Sequence, residues 1–328
     1  MFVEDLYKFE SSLNPQGEKY KLRIFEFEQE HSYFSNFELI RAVHPKKLEI
    51  GVINNKIVFY KNTKKPKKIT SAEDKDLSQT LNKKGAFNGK AGDSLKLKFE
   101  NIAGQNNILV WQACLRTGYP RVENMERALK KFKTDQELDK FLNKMAPTPW
   151  KVAKALLGVS VAHVSLEDGR KNLATGDGGE SGGGGGTGKW SIIFYLSLFN
   201  KTEKIGIIHP RENFSTGLMN LSPYLRKKKP SSLEIGLEWT NTHKLNFMGL
   251  AQLATSEEIK DIKIENLKLE TMKHSHKKEV NKEDLEKGKV ELIPGQFLEL
   301  TFPYKKIAPK STETISYLLK SKGYYKKA

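Results

Sequence analysis

His209, Arg211, Glu212 and Asn213 stand together directly after the apolar run Ile205-Gly-Ile-Ile208. Polar side chains carried on the end of a strand are where binding and catalysis concentrate. An imidazole, a guanidinium, a carboxylate and an amide in one loop would suit an anion or a glycan. The simpler arrangement is an Arg–Glu pair that fixes a turn, and no Ser or Asp partner for nucleophilic chemistry is recognisable beside them.

A second set of chemical groups recurs. Phe25-Glu26-Phe27 is followed by His31, and Leu237-Glu238-Trp239 is followed at the same spacing by His243. A Glu and a His together can move protons. A pair present once in each half of a chain, however, suits a structural task that each half needs, such as a hydrogen bond across a bend. Two further echoes come in the same order. Gly92-Asp-Ser-Leu95-Lys-Leu97-Lys-Phe99 is matched by Gly295-Gln-Phe-Leu298-Glu-Leu300-Thr-Phe302, and Leu115 to Gly118-Tyr119 by Leu319 to Gly323-Tyr324. Repetition of this kind indicates one folding unit used twice.

Other motifs carry less chemistry. Gly183 to Lys189 has the spacing of a phosphate-binding loop, but Trp190 follows where a Ser or Thr should hold magnesium, and a strand-like run follows where a helix should begin. His274 and His276 would share one face of a strand. Two ligands fall short of the four of a structural metal site, and the neighbouring Lys273, Lys277 and Lys278 repel a cation. Cys114 is the only cysteine, so no intrachain disulfide forms, and its apolar neighbours predict a small buried hydrophobe. No cofactor and no metal are expected.

The formal charge is +17, which makes an anionic partner the natural first thought. The excess is 48 Lys against 8 Arg, whereas specific phosphate and base contacts favour the planar fork of Arg. Lys227, Lys228 and Lys229, with Lys320, Lys322, Tyr324 and Tyr325 in the tail, mix cations with aromatic rings. That mixture suits backbone contact and base stacking on single-stranded nucleic acid. No RNA-recognition, KH or zinc-finger signature accompanies it.

The elements that must position these groups are mostly strands. Tyr20-Lys-Leu22-Arg-Ile24, Leu48-Glu-Ile50-Gly-Val52 and Lys56 to Tyr60 alternate apolar and polar positions, and Asn54-Asn55 predicts a hairpin turn. Leu95, Leu97 and Phe99 predict a half-buried strand, as do Leu298, Leu300 and Phe302. Further strands are expected from Ile192 to Phe199, Ile205 to Ile208, Leu233 to Trp239, Leu245 to Leu253, Ile262 to Leu269, Val290 to Ile293 and Ile315 to Leu319. Helical spacing of apolar residues and a Thr134/Glu137 capping box predict helices within 122–158.

The expected fold is mainly β: two related antiparallel β-sandwich-like domains with a short helical insert between them. Its expected divisions are a first β domain over 1–121, the insert over 122–173, a Gly-rich linker or loop over 174–188 and a second β domain over 189–328. No regular strand–helix alternation supports a parallel sheet.

Hydrophobic residues make up 38% and no run reaches the length of a membrane span. No basic and then apolar leader precedes the first strand, so a cytoplasmic location is the default expectation. A non-enzymatic tandem β-domain binding or scaffold protein, contacting a protein or an anionic polymer, is the leading functional expectation. A basic nucleic-acid-binding protein and a hydrolase with an unrecognised site are the alternatives.

Overall fold

In the computed structural model the described residues are 3–10, 12–25, 30–82, 86–102, 106–115, 192–198, 201–208, 215–225, 230–274, 279–293 and 296–327. The expected helical insert, the Gly-rich segment and the Gly183–Lys189 motif lie outside them.

The front of the chain supplies β1 (Val3–Lys8), β2 (Lys19–Phe25), β3 (Glu30–Pro45), β4 (Glu49–Ile53), β5 (Lys56–Lys64), β6 (Lys68–Ser71), the short helix α1 (Ser78–Asn82), β7 (Phe87–Gly89), β8 (Ser94–Glu100) and β9 (Asn107–Leu115). The back begins with β10 (Ile192–Leu198), β11 (Lys201–Ile208), β12 (Ser215–Asn220), α2 (Ser222–Leu225), β13 (Ser232–Trp239), β14 (His243–Leu253) and α3 (Ser256–Ile259). It ends with β15 (Lys263–Lys268), β16 (Thr271–His274), α4 (Lys282–Glu286), β17 (Val290–Leu292), β18 (Phe297–Pro303) and β19 (Glu313–Lys327).

Alternation explains the best-defined strands. Leu95, Leu97 and Phe99 of β8 are buried while Lys96 and Lys98 face out. Each such burial is worth roughly 1.5 to 3 kcal/mol against exposure. Asn54 and Asn55 both take positive φ and join β4 to β5, as a two-residue hairpin requires. The long strand β3 loses its alternation in the middle, where Leu39, Ile40, Arg41 and Ala42 are all buried in succession. It therefore escaped the sequence reading. β1 and the extension of β19 beyond Leu319 escaped it too.

Every strand pair is antiparallel, and the expected mainly-β sandwich class holds. The chain divides into two compact units. Among the described residues, unit 1 takes those of Met1–Lys46 and Asp261–Ala328, and unit 2 takes those of Lys47–Thr117 and Ala174–Lys260. Unit 1 has one sheet in the order β1-β19-β3-β15, with β17 also on β3, and a second in the order β16-β18-β2. Its core joins Tyr20, Ile24, Leu298 and Leu300 of one sheet to Phe37, Leu39 and Leu319 of the other. Unit 2 has the sheets β12-β9-β14-β5-β4, with β7 on β14, and β11-β10-β13-β8-β6. Its core joins Leu97, Phe194 and Ile235 to Leu109, Trp111 and Leu250.

This differs from the expected division into a front domain over 1–121 and a back domain over 189–328. Front strands pair with back strands in both units: β2 with β18 and β3 with β19 in unit 1, β8 with β13 and β9 with β14 in unit 2. Alternation marks which face of a strand is buried but not which strand lies beside it. The helical insert and linker parts of that expected division fall on residues outside those described.

Candidate functional site

The sequence-selected loop His209, Arg211, Glu212 and Asn213 lies between β11 and β12, outside the described residues. Lys227, Lys228 and Lys229 lie outside them as well, as do Glu26, His276, Gly118 and Tyr119. Cys114 is buried on β9, as its apolar setting predicts. No group of three or more His, Cys, Asp or Glu side chains among the described residues could hold a metal ion.

The Glu/His echo does not place its members alike. Glu238 accepts a hydrogen bond from the Tyr195 hydroxyl at 2.9 Å on an exposed sheet face, and that bond pushes the Tyr195 pKa up. His243 is fully buried at the start of β14, where its carbonyl accepts from Trp239 Nε1 at 3.3 Å. His31 instead bonds Glu291 of β17. Their strand partners differ too: His243 pairs with Gly89 of β7, and His31 pairs with Lys326 of β19.

Among the described residues, the structure gathers a group of polar and aromatic side chains from distant positions. It lies at the end of β19, where Lys320, Lys322, Tyr324 and Tyr325 were singled out. Strand periodicity puts Lys320, Lys322, Tyr324 and Lys326 on one face and Tyr325 on the other. Tyr324 pairs with Tyr33 of β3, and Tyr33 pairs with Glu291 of β17. The Tyr33 and Tyr324 rings stack with centroids 4.7 Å apart and planes 9° from parallel. Lys326 Nζ stands 5.3 Å from the Tyr33 centroid and 5.9 Å from that of Tyr324, within cation–π range.

A β-bulge prepares this corner. Ser35 is the extra residue of β3, since Phe34 pairs with Gly323 and Asn36 with Lys322. Bulges bend a strand and re-aim the side chains beside them. The Ser35 hydroxyl donates to the Lys322 carbonyl at 3.2 Å and ties the bulge to β19.

Glu291 holds the corner together electrostatically. Its Oε1 accepts from the Tyr33 hydroxyl at 2.7 Å and lies 2.7 Å from His31 Nδ1. The bond from Tyr33, with His31 adding to it, holds the Glu291 carboxyl below its usual range. The same bond, with smaller contributions from desolvation and the carboxylate charge, pushes the Tyr33 phenol up to about 12. At neutral pH the carboxylate is ionised and the phenol protonated. Neither sits near the range in which proton transfer is efficient.

The cations differ in availability. Lys320 pairs with Glu4 at 3.1 Å. Lys322 is exposed and makes no ion pair among the described residues. A shallow groove of about 340 Å³ elsewhere in unit 1 is lined by Leu269, Met272, Asn281, Lys282 and Leu285 and gathers no comparable set.

Sequence reasoning missed Tyr33, His31 as a Glu291 partner, and Lys326 as a ring contact. Nothing local signals them, because Tyr33 and Glu291 are 258 positions apart. In unit 2, β7, β14 and β9 bring Asn88, Lys244 and Cys114 into one three-strand row, which has no aromatic ring and no carboxylate.

No protein-family model matches the chain, and no curated protein and no solved structure matches it either.

Proposed function

We propose that this protein is a non-enzymatic β scaffold that binds an anionic polymer through the end of β19, with Lys322 and Lys326 as the cations and the Tyr33–Tyr324 stack as the platform. The observation that carries the reading is the contrast between the two units. The three-strand row of unit 2 does without the stacked rings and the carboxylate, so the cluster answers to something other than the needs of the fold. The net charge of +17 supplies long-range attraction for such a partner.

Titration of the full chain with heparin and with a fluorescent oligothymidylate, at several salt concentrations, tests this. Binding should weaken steeply with salt through counterion release. Lys322→Ala with Lys326→Ala should weaken it and flatten the salt slope, by about one unit for each lost phosphate contact in the nucleic-acid case. Salt-insensitive binding, or none to either polymer, would end the proposal.

Single-stranded nucleic acid is the second reading, favoured by the aromatic content of the same surface. Every base has a π-face to stack on an aromatic side chain, and a sulfated sugar has none. Loss of oligothymidylate affinity in Tyr324→Ala with heparin binding intact would favour it.

A further inference from the structure

The two units share more than a class. β1, β19, β3, β15 and β17 of unit 1 stand to one another as β12, β9, β14, β5 and β7 do in unit 2. Likewise β16, β18 and β2 correspond to β6, β8 and β13. The agreement extends to single residues. Each unit has its extra bulge residue at the corresponding place: Ser35 on β3 opposite Lys322/Gly323, and Asn246 on β14 opposite Gln112/Ala113. The isolated bridge Thr70–Asp76 is matched by Lys273–Glu279. The bond from Leu77 N to the Ile69 carbonyl is matched by Val280 N to Met272, and Phe9 N to Tyr317 by Leu221 N to Asn107. Ile69 and Met272, Phe87 and Val290, Phe99 and Phe302 are related by one constant shift in numbering.

In chain order a segment B (β1–β2–β3) precedes a segment A (β5 to β9), and a second B (β12–β13–β14) precedes a second A (β15 to β19). Unit 1 is the first B with the last A, and unit 2 is the first A with the second B. We infer that the chain is one β module written twice, folded with its halves exchanged, so that residues 1–115 and 192–327 are each other's obligate partner surfaces. The exchange of an identical element between copies, familiar between subunits, here takes place within one polypeptide. The inference is independent of any ligand at the end of β19.

Disulfide trapping in the full chain tests it, in a Cys114→Ala background. Lys21 pairs with Thr301 and Lys98 with Glu234, and these pairs occupy corresponding places in the two units. Direct cross-strand partners lie within the span of a disulfide. K21C with T301C, and K98C with E234C, should each close to an intramolecular bond, seen as faster migration on a non-reducing gel. K21C with K98C, and T301C with E234C, would be the neighbours in a tandem arrangement and should stay reduced in the monomer. Intramolecular closure of either tandem pair would overturn the inference. A second measurement avoids the cysteines. A protease site placed in the glycine run 182–186 and cut under native conditions should leave one particle of unchanged elution and melting temperature. Two separable pieces, each with its own cooperative melt, would overturn it as well.

Discussion

Tyr33 and Tyr324 stack almost parallel across the β3–β19 pair, with the Tyr33 hydroxyl on Glu291 of a third strand. Three short stretches far apart in the sequence meet in that row, and each constrains the others. The stack lies one step beyond the Ser35 bulge, so a backbone irregularity, a ring pair and a carboxylate act on the same few residues.

The Tyr33 phenol should be the readily measured consequence. A spectrophotometric titration of the folded chain should show a component ionising near pH 12, absent in Tyr33→Phe and moved back toward 10 in Glu291→Gln. The folded value is raised, so the stability this group contributes is complete below about pH 10 and is lost as the pH rises through about 12. A wild-type titration without that late component would show that the bond to Glu291 does not form.

Tyr324→Ala should weaken oligothymidylate binding by roughly 1 to 3 kcal/mol, the range for one base stacked on one ring. Tyr325 points to the other face of β19, so Tyr325→Ala should leave that affinity nearly unchanged. Fluorescence anisotropy at fixed salt compares them, and equal losses would place the contact elsewhere.

Acid stability should depend on Glu258. Its carboxylate accepts from Lys61 Nζ and from the backbone of Thr255, and these bonds lower its pKa to about 2. The contribution is present above the ordinary carboxylate range, near 4.5, and is lost as the pH falls through about 2. Glu258→Gln should therefore cost stability at neutral pH and make the acid side of the stability profile shallower. An unchanged profile by circular dichroism would show the bond to be dispensable.

Two glycines should resist the smallest substitution. A Cβ at Gly217 would come 2.3 Å from Cε2 of Trp111, and one at Gly89 would come 2.4 Å from Nε1 of Trp239. Both indoles are buried. Overpacking of this kind costs roughly 1 to 3 kcal/mol, so Gly217→Ala and Gly89→Ala should each lower the urea midpoint. Gly92 has φ +88 with open space around its Cβ direction, so Gly92→Ala should act through backbone strain alone.

Much of the fold was legible in the sequence where a strand has one wet face. β8 and β18 announce themselves through Leu95-Leu97-Phe99 and Leu298-Leu300-Phe302, and the Asn54-Asn55 hairpin through residues that tolerate positive φ. Of the three echoes, the central one falls on two alternating strands, β8 and β18. The Glu/His echo leaves His243 fully buried and His31 bonded to Glu291. The candidate site was half legible. Lys320, Lys322, Tyr324 and Tyr325 stood out as a mixture of cations and rings, while Tyr33, His31 and Glu291 carried no local sign.

The amino-acid order by itself determined the β class, the inward faces of the regular strands, the hairpin turn and the burial of the lone cysteine. These depend on period-two patterning and on the backbone preferences of a few residues. Only the tertiary structure decided that front strands lie beside back strands, and that Tyr324 meets Tyr33 rather than the rings next to it in sequence. A strand's pattern fixes which side it buries, but its neighbours are chosen by hydrogen bonding and core packing summed over segments hundreds of residues apart.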